Sequence, residues 1–408
     1  MRSKLSSILP VLILISAALA CVNPLEGSAI PPANVETIVA GTLQALTSPA
    51  PGPGDVPPVQ IQDLLPHSMY FLNNDSAGLV QVYRLERNGM TVNQVTSEPA
   101  NVESYDVSPM DGSVVYVSNN QLLVAGADGS NRRMILDGGP MDVNNPFLTA
   151  VRNPIWSPNG QTIAYGFKGL NFYSIASGLS NRVIEDDIDD LGGGLLVPRE
   201  LFFPDQYSAD GSRLILTLGY YEGASAAIYY PNGNALVRLR GGEGALICCG
   251  ETEWASDGTA FHAANPSMGM FMPGLWRVDS ANGNVTTLVS GEAGNGVFNF
   301  ADEPYLGPDG QLYYFFASLP AGQESVSRVP LQLVRSAPDG VTNRVLLRPE
   351  SFELMNEALW APDASFVIDA MAPIQDVYFG GEAELVYTDG QKEAISLVPF
   401  AMQLKWGP

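Results

Sequence analysis

Two series of turn glycines recur at intervals of about fifty residues in a chain poor in charge and rich in glycine and proline, which predicts an all-β body of repeated four-stranded units. Of 408 residues, 46% are hydrophobic and 15% charged, with 41 Gly and 31 Pro. That balance suits many short strands joined by tight turns, not long charged helices.

The chain opens on a different texture. Arg2 and Lys4 precede an apolar run from Leu5 to Ala20, and Ala18-Leu19-Ala20 stands directly before Cys21. This is the layout of an export signal over residues 1–20. The run contains Ser6, Ser7 and Pro10 and falls short of the roughly 20 apolar residues that a bilayer-crossing helix needs. Cys21 after small residues resembles a bacterial lipoprotein signal, in which the cysteine carries lipid, although Ala18 stands where that pattern has Leu. Cleavage at the same bond also fits plain secretion. The expected location is therefore extracytoplasmic, with membrane contact only through lipid on Cys21, or secreted.

Residues 21–65 read as a tether. Asn34 caps a short helix on which Val35, Ile38, Val39, Thr42 and Leu46 share a face. The Pro-rich stretch 48–60 would reach roughly 40 Å if extended.

The body, 66–408, carries the repeats. One glycine series follows an aromatic or apolar strand end: Gly112, Gly160, Gly211, Gly258 and Gly310, with Ala364 replacing the glycine in WAPDA. A second series marks the next turn: Gly89, Gly129, Gly178, Gly233, Gly283, Gly340 and Gly390. Asn-Gly and Asp-Gly turns allow positive φ at both central positions and signal hairpins. Each repeat thus holds two hairpins, with the first turn joining strands a and b and the second joining c and d. The body starts with material for b, c and d only, and ends in a lone a strand, PFAMQLKW. Pairing the two ends would remove the exposed sheet edges. The expectation is a single closed β-propeller of seven four-stranded blades, with six as the alternative.

The segments WSPNGQTIAYG and LLVAGADGSNRRMIL resemble the repeat of TolB-like, WD-type propellers. The resemblance implies the fold and leaves activity open, since such propellers serve as binding platforms, assembly factors and peptidase caps. Trp156, Tyr207, Trp254, Trp360 and Trp406, at the ends of the a strands, are expected to pack between blades.

Net charge is −23, from 20 basic and 43 acidic residues, with lysine only at Lys4, Lys168, Lys392 and Lys405. Without a basic stripe a nucleic-acid backbone has nothing to grip. Acidity also opposes adsorption on anionic lipid.

The long connections 138–150, 186–199, 263–274, 317–329 and 371–381 all join b to c or d to a, so one face of the body is the expected working face. Three features stand there. Cys248 and Cys249 are adjacent, and a strained vicinal disulfide and free thiols both remain open. His262 precedes Met268, Met270 and Met272, a soft donor set for copper or an apolar loop. The run Glu185, Asp186, Asp187, Ile188, Asp189, Asp190 lacks EF-hand spacing and reads as a solvated acidic loop.

His67 and His262 are the only histidines, and no nucleophile elbow, phosphate-binding loop or zinc motif occurs. The leading expectation is a non-catalytic, monomeric platform without cofactor, binding a protein, peptide or envelope polymer on the long-loop face. The alternatives are a copper-binding protein and a hydrolase with carboxylates in the central channel.

Overall fold

In the computed structural model the chain divides into two units, Met1–Gln60 and Ile61–Pro408. The structure describes residues 63–241, 252–268, 272–294, 296–323 and 328–408, all in the second unit. The export signal, Cys21, nearly all of the tether, Cys248, Cys249 and Met270 lie outside the described residues.

The described residues are strands joined by turns, apart from a 3-10 turn at Pro146–Leu148. Val102–Val107, Val114–Ser118, Gln121–Ala125 and Arg133–Asp137 form one antiparallel sheet in chain order, and Arg152–Trp156, Thr162–Gly166, Gly169–Ser174 and Leu179–Glu185 form the next. Leu196–Tyr207, Leu214–Gly219, Ala224–Tyr230 and Ala235–Arg238 follow, with Asp187–Asp190 added at the edge. Then come Thr252–Trp254, Ala260–Asn265, Gly274–Asp279 and Val285–Ser290. Val297–Leu306, Leu312–Pro320, Gln332–Ser336 and Val345–Leu346 make the next sheet, again with a short edge strand, Glu292–Gly294.

The remaining strands form one seven-stranded sheet: Met355–Trp360, Phe366–Met371, Gly381–Tyr387, Ile395–Trp406, Met69–Asn74, Val80–Leu85 and Val92–Gln94. Ile395–Trp406 stands in its middle. Its first half pairs with Gly381–Tyr387 (Leu385 opposite Ile395) and its second half with Met69–Asn74 (Met69 opposite Trp406). The lone terminal strand of the sequence reading is thus the end of a longer strand that serves as d to the last quartet and a to the first. Quartets are numbered below from that first one. Leu65, placed in the tether by the sequence, is buried against Met69 and Phe366.

Alternation within the strands explains the packing. In Thr162–Gly166 of quartet three, Ile163 and Tyr165 join Val115 and Val117 of quartet two, while Ala164 turns to Phe202 and Leu216 of quartet four. The same handover joins Val82 to Tyr116, Ile228 to Phe261, Leu275 to Tyr314 and Phe315 to Trp360. Ile368 and Leu385 of quartet seven pack on Met69 and Phe71 of quartet one. Strands covered on both faces need apolar residues at consecutive positions, which is why VVYV and LIL at 214–216 read as unbroken hydrophobic runs.

The a–b turns are built alike. Ser157 accepts from Gly160 N–H at 2.8 Å, and Asn159 Oδ1 accepts from Gln161 N–H at 3.0 Å. Asp111, Asp210, Asp257, Asp309 and Asp363 accept in the same way from the amide two residues on. Only the glycine adopts positive φ, at Gly112, Gly160, Gly211, Gly258 and Gly310, and Ala364 takes φ 59° in its place. These are type I turns closed by a left-handed residue, not the doubly left-handed turns expected from Asp-Gly pairs. In the second series Gly233 is replaced in that role by Asn234, φ 47°.

Candidate functional site

The a strands carry the polar chemistry. Each of six a strands has a register shift: between Val102 and Ser104, Arg152 and Ile155, Pro204 and Gln206, Asp302 and Tyr305, Met355 and Glu357, and along 402–405 opposite Tyr70 and Leu72. A bulge adds a residue to one strand and re-aims its side chain. Asn153, Glu303 and Gln403 sit in these bulges with left-handed φ of 46°, 48° and 54°.

The bulges bring charges from distant quartets together around Lys405. Its ammonium lies 3.0 Å from Asp106 Oδ1 and within the field of Asp205 and Glu357. Burial works to lower the Lys405 pKa, and these carboxylates outweigh it and hold the ammonium charged. Burial raises Asp205, against the pull of Lys405 and of the Thr252 hydroxyl, which donates to its Oδ2 at 3.4 Å. Tyr105 is buried and raised well above its ordinary range; its hydroxyl donates to Gln403 O at 2.6 Å.

The same strands stitch each quartet to the next. Trp156 N–H donates to Asp106 Oδ2 at 2.6 Å, and Ala358 N–H to Glu303 Oε1 at 2.8 Å. The indole N–H of Trp254 donates to Gln206 O, that of Trp360 to Glu303 O and that of Trp406 to Trp360 O. Those three tryptophans therefore bridge quartets, and Trp156 packs between quartets two and three and Tyr207 between three and four.

The b–c and d–a connections differ. Tyr220, Tyr221, Tyr378 and Phe379, the exposed aromatic residues among those described, all stand in b–c connections, with Tyr221 68% and Phe379 80% exposed. The loop 372–380 is held from beneath by Arg328, which is 9% exposed. Its guanidinium donates to Gln375 O, Val377 O, Met355 O and Asn356 Oδ1 and lies 4.8 Å from the Tyr378 ring centroid. Asn356 Nδ2 donates to Val377 O and Gly380 O. Gly380 has φ 64°, and a Cβ there would meet Ala401 O at 2.6 Å and the Phe400 ring at 2.8 Å. Loop and C-terminal strand are therefore in direct contact.

The acidic run is not an open loop. Asp187–Asp190 pairs with Leu196–Tyr207, Arg199 reaches Asp187 and Asp189 at 3.6 Å, and Arg182 bonds Glu185 at 2.9 Å. Asp186 turns inward to accept from Phe202 N–H at 3.0 Å, and burial pushes its pKa up to about 6. Nearby, Arg152 lies 5.3 Å from the Phe203 ring centroid.

His262 is 2% exposed, its Nδ1 is without a hydrogen-bond partner, and burial, aided by Arg277, lowers its pKa to about 4. Met268 packs toward the cluster of Phe300 and Phe315, and Met272 is half-buried with its carbonyl accepting from Asn265. Among the described residues no group of three or more His, Cys, Asp or Glu side chains could hold a metal ion. Nor is any helix there long and apolar enough to cross a membrane. Sequence reasoning missed Lys405 with its carboxylates and Arg328; the isolated lysine at Lys405 in an acidic chain was the available signal for the first.

No protein-family model and no curated protein matches this chain. Solved structures do. TolB from Acinetobacter baumannii is 15% identical, covering 91% of this chain and 71% of its own, with a TM-score of 0.43. An oligogalacturonate lyase from Vibrio parahaemolyticus is 10% identical over 82% of this chain and 86% of its own, TM-score 0.48. A prolyl endopeptidase structure superposes at TM-score 0.52 with 11% identity, over 84% of this chain and 49% of the endopeptidase. Likeness at such identity is one of fold. Repeated four-stranded antiparallel sheets, each packed face to face on the next, define the class as a β-propeller.

Proposed function

We propose that this chain is an exported, non-catalytic binding platform, lipid-anchored at Cys21 or secreted, whose body is a closed propeller of seven blades. Closure is supported by the shared strand Ile395–Trp406, by the Tyr105 and Lys405 contacts between blades one and two, and by the core between blades seven and one. The partner is a protein, peptide or envelope polymer held on the b–c and d–a face.

One observation carries the reading: among the described residues the exposed aromatic side chains, Tyr220, Tyr221, Tyr378 and Phe379, are confined to b–c connections. Exposed aromatics on an ordered scaffold supply contact area at small entropic cost. The copper and hydrolase readings have less to stand on. His262 is enclosed in its sheet, and Asp106 and Glu303 already accept backbone amides of the following blade.

The test is affinity capture from envelope extract by the full-length chain and by a Tyr221→Ser/Tyr378→Ser/Phe379→Ser variant. A specific partner should be recovered by the first and lost with the second; equal recovery by both counts against the assignment.

A further inference from the structure

The loop 372–380 is both apolar at its tip and fixed at its base. Ile374, Tyr378 and Phe379 are exposed, whereas Arg328, Asn356 and Gly380 clamp the backbone beneath them. A buried guanidinium would ordinarily be set against a carboxylate. The Arg328 hydrogen bonds instead go to three carbonyls and one amide oxygen, all but one in or beside this loop. A loop so ordered before contact loses little conformational freedom on binding. Phe400, half-buried, meets the loop at Gly380 and extends the apolar strip onto the C-terminal strand, whose carbonyl at Phe400 accepts from Asn73 of blade one at 3.0 Å.

The rim has one sign of charge. Asp376 lies in the loop, Glu382 follows it, and Glu353 accepts from Gln375 Nε2 at 3.4 Å; all three are exposed. Neither 371–384 nor 72–80 contains a lysine or arginine, and the Arg328 charge is beneath the loop, already engaged. Apolar anchors ringed by acid complement cations and repel anionic polymers.

Resting on the platform reading above, we propose that this strip is a docking site for an extended cationic peptide segment. The segment places one aromatic or aliphatic side chain beside Phe379 and sets flanking Lys or Arg residues against Glu353, Asp376 and Glu382.

The experiment titrates the full-length chain into short labelled peptides by fluorescence anisotropy. One peptide carries a Trp flanked by Lys, a second the same Trp flanked by Glu, and a third Ser in place of Trp among the lysines. The Lys-Trp peptide should bind, weaken as salt rises, and weaken about tenfold or more with Phe379→Ser. Asp376→Asn with Glu353→Gln should weaken it severalfold. Equal binding of the Glu-flanked or Ser peptides, or no effect of Phe379→Ser, overturns the inference. A concentration-dependent dimer in ultracentrifugation that Phe379→Ser abolishes also overturns it, assigning the strip to a second copy. If the peptides fail while Tyr221→Ser still abolishes partner capture, this inference falls and the platform reading stands; if capture is also unaffected, both fall.

Discussion

The a–b turns on one face and the b–c connections on the other are extensions of the same strands, yet they treat their exposed residues differently. At the a–b turns Asp111, Asp210, Asp257, Asp309 and Asp363 spend a carboxylate oxygen on the amide two residues on. In the b–c connections Tyr221 and Phe379 present aromatic surface to solvent. One set of exposed side chains maintains the fold, and the other is available to something outside it.

The largest stability effect is expected where neither face is involved. Trp360→Ala removes a buried indole that stacks on Tyr305 at 5.6 Å and donates to Glu303 O, and should cost about 3–5 kcal/mol in urea unfolding. Lys405→Met comes next. It leaves Asp106, Asp205 and Glu357 without their common cation, at roughly 3 kcal/mol, the lower end of what a broken buried pair costs, because Lys405 keeps 31% of its side chain accessible. A melting temperature equal to that of the parent protein would show that the carboxylates do not depend on Lys405.

pH separates the turn carboxylates from the inward ones. Asp210, held down to about 2 by the Ser208 hydroxyl and the Ser212 amide and hydroxyl, contributes stability that is present above the ordinary aspartate pKa and lost as pH falls toward 2. Asp186, raised to about 6 by burial, works in the opposite sense. The folded state retains its proton between about pH 4 and 6 while the unfolded state has released it, so stability falls as pH rises through that window. Asp186→Asn keeps the acceptor for Phe202 N–H and should flatten the dependence of melting temperature on pH between 4 and 6. An unchanged slope would mean that Asp186 is not the titrating group.

The smallest effects test the contrast itself. Asp210→Ala should lose about 1 kcal/mol, the scale of its turn hydrogen bonds, and leave partner capture intact. Tyr221→Ser should change stability by no more than about 0.5 kcal/mol and reduce capture. If Asp210→Ala reduced capture and Tyr221→Ser reduced stability, the division between the faces would be wrong.

The glycine series was readable because a left-handed residue at a turn is a local requirement that few side chains meet. Gly112, Gly160 and Gly340 have the conformation their sequence neighbours imply. The exceptions are equally local: Ala364 and Asn234 take the left-handed position where the spacing of glycines pointed elsewhere or ran out. Trp156, Trp254 and Trp360, at the ends of a strands, lie in cores shared by neighbouring quartets, where a large apolar ring at a strand end finds burial.

The acidic run misled because charge density alone suggests a solvated loop. Whether Asp187 and Asp189 find Arg199 depends on strand pairing across a turn, and Asp186 turns inward next to a shift in that pairing. The Lys405 cluster was hidden for a related reason. Its members are separated by about fifty residues or more, and their meeting depends on which quartets are neighbours. A bulge is likewise a count of residues against a partner strand, and no single strand contains that count.

By itself the sequence determined the all-β class, the two hairpins of each repeat, the complementary chain ends and the face bearing the long connections. Each follows from short-range rules: alternation, left-handed turn residues and spacing. Only the tertiary structure decided that Ile395–Trp406 serves two quartets, that bulged a strands gather carboxylates around Lys405, and that Arg328 fixes the loop carrying Phe379. Those features arise where strands from different repeats meet, and contact between repeats depends on register and packing, which a local pattern does not contain.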